Sequence, residues 1–255
     1  AEGGIISKEA TIDLSNLSAT TTAANGLTEF VLGENVALVL PELATADHVY
    51  FSYGSGSSVS LPKLASANRG TFAFAAGSSI SLPELTTFRD GNFSGGEWTF
   101  TAPKLTDFSG PYSSVTVSPT ARFQSGRDVG GLTAVNNARF AVTGGATWGV
   151  GTGDFAATSY SSTGLSYRGS TYTLFSASGN SVLELSSVQS IDAGFDDGQP
   201  DWTTVQRIAA STGGHIDLSG LTTVRAPYRD GNDKLTFEVS DTGSQIDLSG
   251  LRTIT

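Results

Sequence analysis

Cysteine and methionine are both absent from this 255-residue chain, and histidine occurs only at His48 and His215. Without cysteine there are no disulfides, no thiolate nucleophiles and no zinc–thiolate sites. Lysine is scarce as well, confined to Lys8, Lys63, Lys104 and Lys234, and the formal net charge is −10. Nucleic acid and anionic lipid draw most of their affinity from Lys/Arg clusters, so nucleic acid is excluded as a partner. No run approaches the roughly 18 apolar residues that span a bilayer, so membrane insertion is not expected. Windows of Glu, Lys, Leu and Ala at a 3.6-residue period are missing too, which leaves room for at most a short capping helix.

What the chain does have is repetition. Ser60-Leu61-Pro62-Lys63-Leu64 recurs as Ser81-Leu82-Pro83-Glu84-Leu85, with looser copies at Val39-Leu40-Pro41-Glu42-Leu43 and Thr101-Ala102-Pro103-Lys104-Leu105. A second set reads Ile216-Asp217-Leu218-Ser219-Gly220-Leu221 and Ile246-Asp247-Leu248-Ser249-Gly250-Leu251, matched near the start by Ile12-Asp13-Leu14-Ser15-Asn16-Leu17. An apolar residue stands two positions before the central Leu in each copy (Ile12, Leu38, Val59, Ile80, Phe100, Leu183, Ile216, Ile246), which is strand alternation. Apolar residues three and six positions later, such as Phe88, Phe108, Ile191, Val224 and Ile254, require a turn between. Upstream lies another alternating pair, Phe30/Leu32, Phe51/Tyr53 and Phe72/Phe74, with single counterparts at Phe175, Ile208 and Val239.

One coil therefore carries two or three short strands with one apolar face each, and only stacking closes the core. The pattern predicts an all-β fold: a single right-handed parallel β-helix, a solenoid with coils of about 20–33 residues. A leucine-rich repeat shares the Leu spacing but wants an Asn ladder where these copies have Pro, Ser or Gly. Residues 1–255 read as one domain, with regular coils at 1–108 and 176–255. Between them, 109–175 read as degenerate, decorated coils that keep alternating pieces at Val115/Val117, Phe140/Val142, Trp148/Val150 and Phe155. The start at Ala1 without Met, and the end at Thr255 on a coil with no polar cap, suggest one module of a larger multidomain protein.

Chemistry is sparse. Hydrolysis of a glycoside needs facing carboxylates, and the densest acidic group is one loop holding Asp192, Asp196, Asp197 and Asp201. That loop reads first as an Asp-Gly turn and second as a calcium site, the single cofactor the residues suggest. No Gly-x-Ser-x-Gly nucleophile elbow is present, since Gly54-Ser55-Gly56 falls in a strand corner. Arg89-Asp90-Gly91-Asn92 returns as Arg229-Asp230-Gly231-Asn232, and a corner turn accounts for both. No catalytic residues are assigned. Sugar binding asks for exposed rings beside a few polar groups. Its candidates are Trp202 beside the Asp loop, Tyr160, Tyr167 and Tyr172 in the polar stretch, and Tyr112 and Tyr228 at corners. Trp98 and Trp148 complete the set, although strict alternation would turn both inward.

The Leu-Pro-x-Leu and Ile-Asp-Leu-Ser-x-Leu coils look like those of bacterial surface and exported solenoid proteins. Among sugar-binding families the chain resembles carbohydrate-binding module family 89, a resemblance that implies a β-helical, non-catalytic module with xylan as ligand, secreted or at the cell surface. A structural or adhesive repeat domain and a β-helix polysaccharide lyase or hydrolase are the alternatives. Ice binding is disfavoured because Thr99-Phe100-Thr101 and Thr171-Tyr172-Thr173 do not recur coil by coil.

Overall fold

The computed structural model describes residues 4–6, 14–21, 26–165, 170–195, 203–226 and 233–255. Among these the structure is nearly all parallel β, in sheets formed by stacked repeats, with no α-helix and a single 3₁₀ turn at Thr163–Leu165. The largest sheet has ten strands, one per repeat, beginning with Gly4–Ile6, Thr28–Leu32, Val49–Ser52, Thr71–Ala73 and Asn92–Ser94. It continues through Ser114–Val117, Arg139–Val142, Thr171–Ser178 and Val205–Ser211 to Lys234–Val239. After each of its strands, most repeats add two shorter ones, as Ser58–Ser60 and Ser66–Asn68 follow Val49–Ser52.

The register explains the repeat. Phe30, Phe51, Phe72 and Phe93 align across four strands, and their rings stack at 5.0, 5.2 and 5.9 Å. Those separations match the 4.7–4.9 Å spacing of neighbouring strands, so one aromatic per repeat at one position becomes a continuous column. Leu38, Val59, Ile80, Phe100 and Phe123 make a second column in a five-stranded sheet. Leu40, Leu61, Leu82 and Ala102 are fully buried beside it. Val239 and Ile254 fit the inward pattern, aligning with Ala210 and Val224, and are exposed.

The described residues of 109–175 stay in the stack. They supply Ser114–Val117 and Arg139–Val142 to the ten-stranded sheet, but the short strands beside it change partners here. The five-stranded sheet ends at Ala121–Ser125, and a new four-stranded sheet starts at Thr147–Gly149. The sheet ending at Thr87–Arg89 passes through single bridges at Asp107, Ala134, Leu132 and Phe155 toward another that starts at Ser159–Ser161. Alternation fails at this break: Trp148 is inward, but Val150 points out because Gly149 (φ 137°) intervenes. A Cβ on Gly149 would lie 2.0 Å from the Glu184 carbonyl oxygen.

Side chains satisfy the strand edge left at the break. The Trp148 indole N–H donates to the Phe123 carbonyl at 3.0 Å. Asp154, with no exposed surface, accepts from the Ser125 amide at 2.8 Å, from the Thr152 hydroxyl at 2.7 Å and twice from Arg127 at 2.8 Å. Removing the carboxylate leaves the buried Ser125 amide without its acceptor, while Arg127, 44% exposed, stays solvated. Asp154→Ala is therefore expected to cost about 1–3 kcal/mol in urea unfolding; a loss below about 0.5 kcal/mol would mean that the carboxylate does not hold the break.

Candidate binding groove

Because backbones are in register, outward side chains form columns as inward ones do. Tyr50, Thr71, Asn92, Ser114 and Arg139 succeed one another on the outer face of the ten-stranded sheet. Beside them, His48, Arg69 and Asp90 occupy the corner where each repeat enters that sheet, all with left-handed backbone at φ 54°, 52° and 51°. The corners are linked through backbone bonds, His48 N–H to Asn68 O at 2.9 Å and Arg69 N–H to Arg89 O at 2.8 Å. Left-handed conformation is uncommon outside glycine and is held by such stacking. Together the two columns border a hollow of about 470 Å³ whose rim carries Tyr112, 70% exposed. Across Arg139 it adjoins a second hollow of about 260 Å³ over Thr116, Ala141 and Ser176.

The groove's polar groups differ in how they are engaged. Asp90 accepts the Tyr112 amide at 3.1 Å, which ties the corner to the loop carrying the exposed ring. Arg69 is committed to Asp47, with NH2 to Oδ2 at 2.7 Å, and Asn68 donates to the same carboxylate at 2.9 Å. Burial alone would raise the Asp47 carboxyl, but these hydrogen bonds and the Arg69 charge outweigh it and hold the group below the ordinary aspartate value. The His48 Nδ1 and Arg139 Nε atoms are buried without hydrogen-bond partners.

The predicted rings divide three ways. Tyr112 is exposed in this groove, and Tyr172 is half-buried against the core. Trp98, Trp148 and Tyr160 are core residues, 3%, 2% and 1% exposed, and as placed cannot stack on a surface ligand. Trp98 lies against Phe74 at 5.3 Å. Trp148 aligns with Leu183, and Tyr160 aligns with Ile191 while its hydroxyl donates to the Ala138 carbonyl at 2.9 Å. For Trp148 and Tyr160 the ladder position, apolar in the next repeat, pulls the ring inward; Trp98 stands between Ser78 and Ala121, both buried. Trp202, Tyr167 and Tyr228 lie outside the described residues, as do Asp196, Asp197 and Asp201. Asp192 accepts the Gly194 amide at 2.9 Å and pairs with Arg225 at 2.9 Å, so it serves as a turn and an ion pair. Asp217 and Asp247 close the same kind of turn on Ser219 and Ser249. Among the described residues no three His, Asp or Glu side chains gather as metal ligands.

Tyr50 and Arg139 were not among the predicted residues. The signal for Tyr50 was present, since inward Phe51 and Tyr53 turn it outward. Arg139 comes to share its column and hollow only through four strand pairings.

The depressed Asp47 carboxyl implies a pH dependence. A folded-state value below the unfolded one of about 3.9 gives stabilisation that is complete above that value and lost as pH falls through the folded one. A carboxylate NMR titration is expected to place Asp47 below the ordinary range, and Arg69→Gln to return it upward; an unchanged value in Arg69→Gln would refute the pairing.

No family model, no curated protein and no solved structure matches this chain, so the reading of the groove rests on its own chemistry.

Proposed function

We propose that the chain is a right-handed parallel β-solenoid acting as a non-catalytic carbohydrate-binding module, secreted or at the cell surface. Its ligand in this reading is a plant cell-wall polysaccharide such as xylan, laid along the outer face of the ten-stranded sheet. The observation that carries the reading is the exposed Tyr112 ring at the edge of an open hollow floored by hydroxyl and amide side chains. Sugar rings offer an apolar face for stacking and hydroxyls for hydrogen bonds, and the groove supplies a partner for each. From the Tyr50 strand to the Thr173 strand are five steps, roughly 24 Å at the usual strand spacing, a length suited to a linear chain rather than to one small molecule. Glycoside hydrolysis calls for two facing carboxylates, and Asp90, the carboxylate bordering the larger hollow, is engaged with the Tyr112 amide. Both points favour retention over turnover.

Affinity electrophoresis in gels containing xylan, β-glucan or pectin tests this. Retardation by xylan without release of reducing ends is expected, with Tyr112→Ala weakening it about three- to tenfold at unchanged melting temperature. Absence of retardation in every polymer, or release of reducing sugar or unsaturated product, would overturn the reading.

A further inference from the structure

We infer that the groove selects a neutral polysaccharide bearing occasional uronic acid groups, and that Arg139 receives their carboxylate; this rests on the polysaccharide reading above. Arg69, Arg89, Arg127, Arg207 and Arg225 each pair with a carboxylate. Arg122, Arg139 and Arg252 have no such pair among the described residues, and of these Arg139 is the one that stands half-buried at the joint of the two hollows. Its Nε atom is withdrawn from water with no acceptor. The residue is nevertheless partly exposed where it lines both hollows, so the rest of its guanidinium can offer N–H groups to a ligand oxygen there. The planar donor fork also matches the two oxygens of a carboxylate better than it matches a single hydroxyl. His48 lines the same hollow.

The surroundings set how many carboxylates the ligand carries. Asp90 borders the same hollow, Glu29 heads the outward column next to Tyr50, and the chain's net charge is −10. A polymer with a carboxylate on every ring would find one guanidinium without a carboxylate pair among the lining residues, Arg69 being held by Asp47, and would meet Asp90 and the chain's net negative charge elsewhere. A neutral backbone with sparse uronate branches keeps the attraction and escapes the rest.

The test compares native xylan bearing glucuronic acid branches, the same polymer after carboxyl reduction, and polygalacturonate, by titration calorimetry with the wild-type chain and Arg139→Gln. The wild type is expected to bind the native polymer roughly five- to tenfold more tightly than the reduced one. Arg139→Gln should bind both at the level of the reduced polymer, and added salt should shrink the wild-type preference. Equal wild-type affinity for native and reduced xylan overturns the uronate inference while leaving the proposed function standing. A preference retained in Arg139→Gln overturns the role of this residue, and tightest binding of polygalacturonate overturns the sparse-uronate selection. If the wild type binds neither form of xylan, the polysaccharide reading itself fails.

Discussion

Parallel in-register pairing between consecutive repeats is the constraint from which the rest of this structure follows. In such a ladder each residue stands one strand spacing from its equivalent in the next repeat. A side chain that buries well in one repeat therefore buries well in all, provided its equivalent is similar in shape. The column Phe30, Phe51, Phe72, Phe93 shows the benefit: each ring gains a stacked neighbour in addition to the roughly 1.5–3 kcal/mol that follows from burying an apolar side chain of this kind.

The same constraint organises the outer surface. Polar residues with no role in the core are still held in columns, which is how Tyr50, Thr71, Asn92, Ser114 and Arg139 come to border one groove. It also orders charge. The variable position of the Leu-Pro-x-Leu motif reads Glu42, Lys63, Glu84 and Lys104, and the structure pairs Lys63 with Glu42 and Lys104 with Glu84, each at 2.7 Å. Exposed pairs of this kind add little stability individually. Alternating sign does, however, penalise any stacking that would bring like charges together.

At the break between residues 121 and 160 the short strands lose their partners while the ten-stranded sheet continues. There the backbone groups that a neighbouring strand would have satisfied are met by the Trp148 indole and by the Asp154 carboxylate with its Arg127 partner. Buried backbone groups need partners whether or not a strand supplies them. This accounts for a fully buried charge and a buried tryptophan in the stretch where leucine nearly disappears.

The strand alternation, the apolar positions around each central Leu and the stacking of repeats were legible in the residues, because burial recurs with the period of the backbone and leaves its mark on every copy. The corner turn at Asp90 was legible for a similar reason, being local. The aromatic candidates were not resolved this way. A ring in a polar stretch, such as Tyr160, looks exposed until the strand pairing sets it in line with Ile191 and Val224. The groove lay further out of reach, since Tyr50 and Arg139 are 89 positions apart and line one hollow only after four pairings have set them in one column. Period and burial are properties of each repeat and are written in its residues. Which outward residues become neighbours depends on register accumulated across repeats of unequal length, and that is decided only when the chain is stacked.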